Sequence, residues 1–268
     1  MLEPYEFLDE LEGEHRSWLA PFDGRYLRKF ENLLKGNYEA AMTEAAVRRL
    51  LERHGVAVEP NEDLTGASKQ PDLFCTHARQ EFYVEVTCIS IEKATKKTGL
   101  PVDPRETGFR SYSSLNDAFW AACKGKVTQC AGLDHPALVA VGTHHAQASA
   151  LCVSEPHAEM LLTGETKIAW NLDLTTGSQA GDTYLSTELH FATFLKRDPS
   201  VEVAFRRGPI AGLLLCGFGV DPPECLGILH PNPEHHFDPA ALENIRFCEV
   251  SLDRANGTLA TSWAATPK

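Results

Sequence analysis

The chain has no long apolar run. Nothing in its 268 residues approaches the roughly 20 consecutive apolar residues that a helix needs to span a bilayer, so no membrane partner is expected. The opening stretch, MLEPYEFLDELEGEH, is acidic and has no apolar h-region. No secretory signal is read there, and the expected location is the cytoplasm. Positive charge is also scarce: 25 Lys and Arg stand against 37 Asp and Glu, a net charge of −12. That balance argues against a surface that coats nucleic acid broadly, while leaving room for a local basic cleft. The eight cysteines (Cys75, Cys88, Cys123, Cys130, Cys152, Cys216, Cys225 and Cys248) include no Cys-x-x-Cys pair. Several lie in apolar runs such as LLLCGFG and read as reduced, buried thiols acting as small hydrophobes. A zinc site would need clustered ligands. The dense histidines, His144-His145 and His230, His235 and His236, lack metal-ligand spacing, and HPNPEHH reads as a Pro-rich turn. There is neither an internal repeat nor a low-complexity linker.

What is present fits one large folded unit, with enough apolar content to bury a sizeable core. Residues 1–36 read as amphipathic helical pieces broken at Pro21 and Gly24. Asn37 is a plausible N-cap for a helix running to about His54, with Gly55 as its stop. Met42, Ala46, Val47, Leu50 and Leu51 recur at helical spacing. VAVEP (56–60) reads as a short strand, NEDLTGASKQ as a polar loop, and PDLFCT and EFYVEVTCISI as two strands. KATKKTGLPVDPRETGFRS reads as a long mobile insertion. A helix follows from about Ser114 to Ala131, and ALVAVGTH is a buried strand. The order from residue 37 to 143 is α, β, β, β, α, β. Residues 144–268 extend the same domain: mixed helix and loop over 155–200, buried strands at IAGLLLCGFG and CLGILH, and a short helix capped by Asp238.

Within these elements a few residues stand out chemically. In EFYVEVTCIS, Tyr83, Glu85, Thr87 and Ile89 share one face of the strand. A carboxylate at an apolar strand centre is costly unless it finds a cation, a donor or water. Asp72, thirteen residues earlier, begins the neighbouring strand and could sit beside Glu85. Two such charges repel unless a Mg²⁺-type ion lies between them; the plainer reading is an edge Glu bonded to an Arg or water. Glu44 borders the apolar stripe of the first helix, through Val47 and Leu51, and could reach the same place. On the second helix Phe119, Ala122, Cys123 and Cys130 form an apolar arc at 100° per residue, with Lys126 at its centre, Gln129 one turn on and Lys124 pointing away. Lys126 there needs a partner, a carboxylate pair or a phosphate, or else snorkels to water. Basic residues also gather at Lys93, Lys96, Lys97, Arg105 and Arg110, and at Arg206-Arg207; such runs are commonly solvated loops.

The ordered set of a Glu on the first helix, Pro71-Asp72, then Glu85-Val86-Thr87, in an α, β, β, β, α, β frame, resembles the PD-(D/E)XK nuclease superfamily. QPDLF…FYVEVT looks like that family's PD…ExK strand pair, and the resemblance covers about residues 38–143. It implies a restriction endonuclease-like α/β core with a C-terminal α/β extension. It further implies metal-dependent hydrolysis of phosphodiester bonds, with Mg²⁺ or Mn²⁺ held by Asp72, Glu85, Glu44 and the backbone carbonyl of Val86. Thr87 stands where the family usually carries its catalytic lysine. Some members place a substitute lysine on the following helix, often near a Gln, and Lys126 with Gln129 looks like such a pair. The partner expected is nucleic acid, DNA ahead of RNA, at a local basic cleft; a homodimer is compatible with the reading. Two other readings stand beside it. One is an inactive protein of the same fold that binds nucleic acid or a protein partner. The other is a non-nuclease interaction protein in which Asp72 and Glu85 are structural and Lys126 is their ion-pair partner.

Overall fold

A computed structural model describes residues 6–65, 70–103, 105–106, 112–198, 202–253 and 258–264. Three helices come first: α1 (Glu6–Leu19), α2 (Gly24–Gly36) and α3 (Tyr38–Arg53). As the sequence suggests, the Asn37 side chain caps α3 by accepting from Ala40 N at 3.2 Å, and Gly55, with φ 76°, turns the chain out of it. Strands β1 (Ala57–Pro60), β2 (Leu73–Thr76) and β3 (Glu81–Cys88) follow. Then come α4 (Ile91–Thr98), α5 (Tyr112–Lys126) and β4 (Ala137–Thr143). The second half comprises α6 (Ala146–Cys152), α7 (Glu155–Thr163), β5 (Glu165–Leu172), β6 (Gln179–Glu188), β7 (Leu195–Asp198), β8 (Glu202–Phe205), β9 (Gly212–Gly217) and β10 (Glu224–Leu229). A 3₁₀ turn (Pro239–Leu242) precedes β11 (Arg246–Asp253) and β12 (Thr258–Trp263).

Eight strands form one mixed sheet in the order β1-β2-β3-β4-β9-β10-β11-β12. β3, β4 and β9 run parallel at its centre, and β1 and β2 add antiparallel at one edge. The protein is therefore α/β, with a large mixed sheet flanked by helices. Strand alternation sends side chains to two cores. Leu138 and Ala140 of β4 join Val84, Val86 and Leu214 beneath Val47 and Leu51 of α3. Val139 and Val141 join Leu213 and Leu215 beneath Phe119 and Cys123 of α5 and Leu161 of α7. All seven residues of β4 are buried, as a central strand with parallel neighbours requires. Each large aliphatic side chain so buried contributes about 1.5–3 kcal/mol. All eight cysteines are free thiols. Among the described residues no helix is long and apolar enough to cross a membrane.

The structure corrects three expectations. The segment read as a mobile insertion begins with α4, capped by the Ser90 side chain and closed by Gly99 at φ 65°. Its charged surface hid the two positions that anchor it, Ala94 and Thr98, which are buried. α5 ends at Lys126, so Gln129 lies in a turn beyond the helix, its N–H bonded to Lys126 O at 3.0 Å; Gly125 weakens the helix at that point. Beyond α7, the region read as helix and loop is the antiparallel ribbon β5–β6. Its register shift between Ala169 and Asn171 breaks the alternation on which a strand reading depends.

Candidate functional site

The site forms where one strand outlasts its neighbours. The last pair of the β2–β3 ladder is Leu73 with Val84. Asp72 therefore stands opposite Glu85, one step past the ladder, while β3 runs on to Cys88. In place of a ladder bond, Asp72 Oδ2 accepts from Val86 N at 2.7 Å. The loop leaving β1 is tied to the same place: Asn61 N donates to Asp72 O at 2.9 Å, and Asn61 Nδ2 to Pro71 O at 3.0 Å. This delivers Glu62 to the end of β2, and Glu44 arrives from α3. Glu44, Glu62 and Asp72 each offer a carboxylate oxygen within 4.8 Å of the other two.

Glu85 is completely buried. Its Oε1 accepts from the Lys126 ammonium, and the Gln129 side chain lies near enough to favour the charged form of Glu85. Its Oε2 has no partner. Thr87, half-buried, lies one alternation further along the same face of β3. On the outer side Lys29 of α2 pairs with Glu62 at 2.7 Å. A pocket of about 380 Å³ opens over Glu44, Glu62 and Asp72, walled by His15, Trp18, Tyr26 and Phe30 of the N-terminal helices.

The electrostatics follow from burial and crowding. Burial first, then the charges of Glu62 and Glu85, pushes Glu44 up to about 8. Burial, then Glu85 and Glu44, holds Asp72 well above the usual carboxylate range, against the pull of the Val86 bond. Burial also raises Glu85, outweighing Lys126 and Gln129. For Lys126 burial acts downward, but the charge and hydrogen bond of Glu85, with Asp72 and Glu44, prevail and leave it raised. Four carboxylates thus face two ammonium groups, Lys126 and Lys29. With all four ionised the imbalance would be two negative charges; the raised Glu44 and Asp72 relieve it by holding protons, which one divalent cation would displace. The donors are all carboxylate oxygens, the set that suits Mg²⁺ or Mn²⁺ rather than zinc or copper, and the unpartnered Glu85 Oε2 is a further one. The residues present fit such an ion.

Glu44, Asp72, Glu85, Lys126 and Gln129, singled out from the sequence, converge here, with Thr87 and Val86 adjoining. Val86 contributes its N–H to Asp72; since the N–H and C=O of an extended residue point to the same side of a strand, its carbonyl faces the same gap. The sequence reading missed Glu62, Lys29 and the aromatic wall. The only available signal was an acid two residues past a strand end. The basic groups read as a cleft disperse: Lys97 pairs with Asp117 and Arg105 with Asp103, and Arg110 lies outside the described residues. The clustered histidines, His144, His145, His230, His235 and His236, do not line the pocket over the acids; His230 bonds Arg206 O and Asn232 N through its two ring nitrogens. No family model, curated protein or solved structure matches this chain.

Proposed function

We propose that this protein is a metal-dependent nuclease of the PD-(D/E)XK kind, hydrolysing phosphodiester bonds in nucleic acid, with DNA the expected substrate. The observation that carries this is the gathering of Glu44, Glu62, Asp72 and Glu85 around an end of β3, crowded enough to hold Glu44 and Asp72 above the usual carboxylate range, with Lys126 beside them. The helix and three strands, followed by α4, α5 and β4, over residues 37–143 support the restriction endonuclease-like reading of the core, with α4 added to the expected order.

In this reading Asp72, Glu44 and Glu62 hold Mg²⁺ or Mn²⁺, with Glu85 and the Val86 carbonyl completing the oxygen set. A divalent ion so held would acidify an attacking water and offset charge on the phosphate. The Val86 N–H fixes the carboxylate plane of Asp72. Lys126 supplies a positive charge, raised and so protonated at neutral pH, for the extra negative charge that builds on phosphorus-bound oxygens. Gln129 holds Glu85 and so keeps Lys126 oriented. Thr87 leaves the usual lysine position uncharged, and Lys126, brought onto Glu85 from α5, supplies the positive charge instead.

The Lys126–Glu85 pair also favours a second reading, an inactive protein in which the acids are structural. Thermal unfolding in EDTA, Mg²⁺ and Mn²⁺ separates the two, because an ion bound only by the folded state must raise the midpoint by mass action. Wild type should melt higher in Mn²⁺ and Asp72→Ala should not respond. Mn²⁺-dependent cleavage of plasmid or single-stranded DNA, lost in Asp72→Ala, then completes the assignment. An unchanged wild-type midpoint leaves the structural reading.

A further inference from the structure

On the opposite flank of α5 from the acids, three cations surround one indole. The Lys124 ammonium lies 5.5 Å from the centre of the Trp120 ring, the Arg206 guanidinium 5.4 Å and the Arg207 guanidinium 4.8 Å. Among the described residues none of the three forms an ion pair with a carboxylate. Arg206 is held in place by carbonyls, its Nη2 donating to Ala192 O and more weakly to Leu189 O and His190 O. Arg206 Nε, Arg207 Nη1 and Trp120 Nε1 are sealed from solvent without a partner. Burial lowers Arg207 to about 10, with Cys123 pulling upward and Arg206 adding to the fall, and burial lowers Arg206 as well.

Such a cluster is unfavourable as it stands. Each cation gains only about 0.5–1 kcal/mol from the face of an exposed ring, while two partly desolvated guanidinium groups repel. The backbone adds strain: Arg207 has φ 65°, alone in that region among the non-glycine residues described, a conformation that L-residues other than Asn and Asp rarely adopt. Strain of this kind is stored where a side chain must be aimed. In a chain with twelve excess negative charges, three unpaired cations on one aromatic ring call for an anion.

We propose that Trp120, Lys124, Arg206 and Arg207 form a phosphate-binding subsite that grips the backbone of the nucleic acid strand cut at the acidic centre. The subsite rests on the nuclease reading for its ligand. Lys124 and Lys126 both belong to the last turn of α5. At 100° per residue they stand about 200° apart, so the helix presents Lys126 to the acids and Lys124 to the arginines. The two places are separated by about one helix diameter, roughly 10 Å, or about three nucleotides of a strand rising 3.4 Å each. Phosphate contacts of this type hold register and carry no base preference.

The test is binding of a fluorescein-labelled single-stranded 20-mer in Ca²⁺ buffer across a KCl series, by anisotropy, alongside Mn²⁺ melting shifts. The variants are Lys124→Gln, exposed and remote from the core, and Lys124→Gln with Arg207→Asn. Asn tolerates the left-handed backbone, so the double variant keeps the turn. The double variant should bind about tenfold more weakly, and its slope of log K on log salt should be shallower by roughly 0.7 for each phosphate it no longer neutralises. Its Mn²⁺ shift should be that of wild type. Unchanged affinity and slope overturn the subsite. If the double variant does not fold, Lys124→Gln decides, with about threefold weakening expected and no change overturning. Strand binding that responds to these variants without any Mn²⁺ shift keeps the subsite and removes the metal reading. A Mn²⁺ shift in a wild type that ignores the strand does the reverse.

Discussion

Asp72 accepts a 2.7 Å hydrogen bond from the backbone N–H of Val86 just where the β2–β3 ladder has ended. One carboxylate thus closes the end of the ladder and also offers an oxygen to the group it forms with Glu44 and Glu62. The two roles separate by substitution. Asp72→Asn keeps an acceptor for Val86 and removes the cost of holding a buried, crowded acid protonated, so in EDTA it should melt above wild type. About 1 kcal/mol, or roughly 2–4 °C for a chain of this size, is expected. Asp72→Ala orphans the Val86 N–H at a cost of about 1–3 kcal/mol and should melt below the Asn variant. Equal melting of the two would show that the bond does not hold the strand. Neither should respond to Mn²⁺.

Lys126 is the counter-charge of a completely buried Glu85. Lys126→Met leaves that carboxylate stranded, and breaking such a pair costs about 3–5 kcal/mol. Because the Lys126 side chain keeps 24% of its exposure, the lower end is expected. Adding Glu85→Gln should restore most of the stability without restoring any Mn²⁺ response. Urea unfolding of the single and double variants measures both; if the double variant is no more stable than Lys126→Met, the pair is not the source of the loss.

His157 is fully buried under α5, edge-on to Phe119, with neither ring nitrogen bonded. Burial holds its pKa down at about 3. The folded form keeps the ring neutral while the unfolded chain protonates below about 6.5. Between about 6.5 and 3 the unfolded state binds the extra proton, so stability is complete above 6.5 and falls with pH through that window. The slope from this residue is about 1.4 kcal/mol per pH unit. His157→Leu should therefore gain about 2 kcal/mol on wild type between pH 7 and pH 5, read from urea midpoints at the two pH values. A pH-independent difference would place the proton elsewhere.

Gly227 sits in β10 under the ring of Phe247, where a Cβ would meet ring carbons at 2.2 Å. Phe247 is fully buried, so it has little space to yield. Gly227→Ala should cost at least the roughly 1–3 kcal/mol typical of overpacking. Gly227→Ala with Phe247→Leu should recover part of it relative to Phe247→Leu alone, as a double-mutant cycle in denaturant reports.

Much of the frame was legible. The Asn37 cap and Gly55 stop, the alternation through Glu85, and the apolar runs of β4 and β9 each state their element locally. Lys126 was legible for the same reason: helical period placed it on the sheet-facing side before any partner was known. Glu62 was not, because it lies in a polar loop without period and matters only once Asn61 ties that loop to Pro71 and Asp72. The cap pair of α4, Ser90 and Gly99, was written in the sequence but outvoted by Lys93, Lys96 and Lys97. The ribbon β5–β6 exposes Ile168, Trp170 and Leu172, with Leu174 beyond it, so its apolar residues do not report a buried face.

The sequence alone determined most elements of residues 37–143 and the presence of acids where apolar residues would be expected, because caps, periodicity and turn chemistry act within a few residues. Only the tertiary structure decided which charges meet. It placed Glu44, Glu62 and Asp72 together, set Lys126 on Glu85, and left Arg206 and Arg207 around Trp120 without a paired acid among the described residues. Coulomb energies depend on separation and on exclusion of water, and both are set by how distant segments pack rather than by their order along the chain.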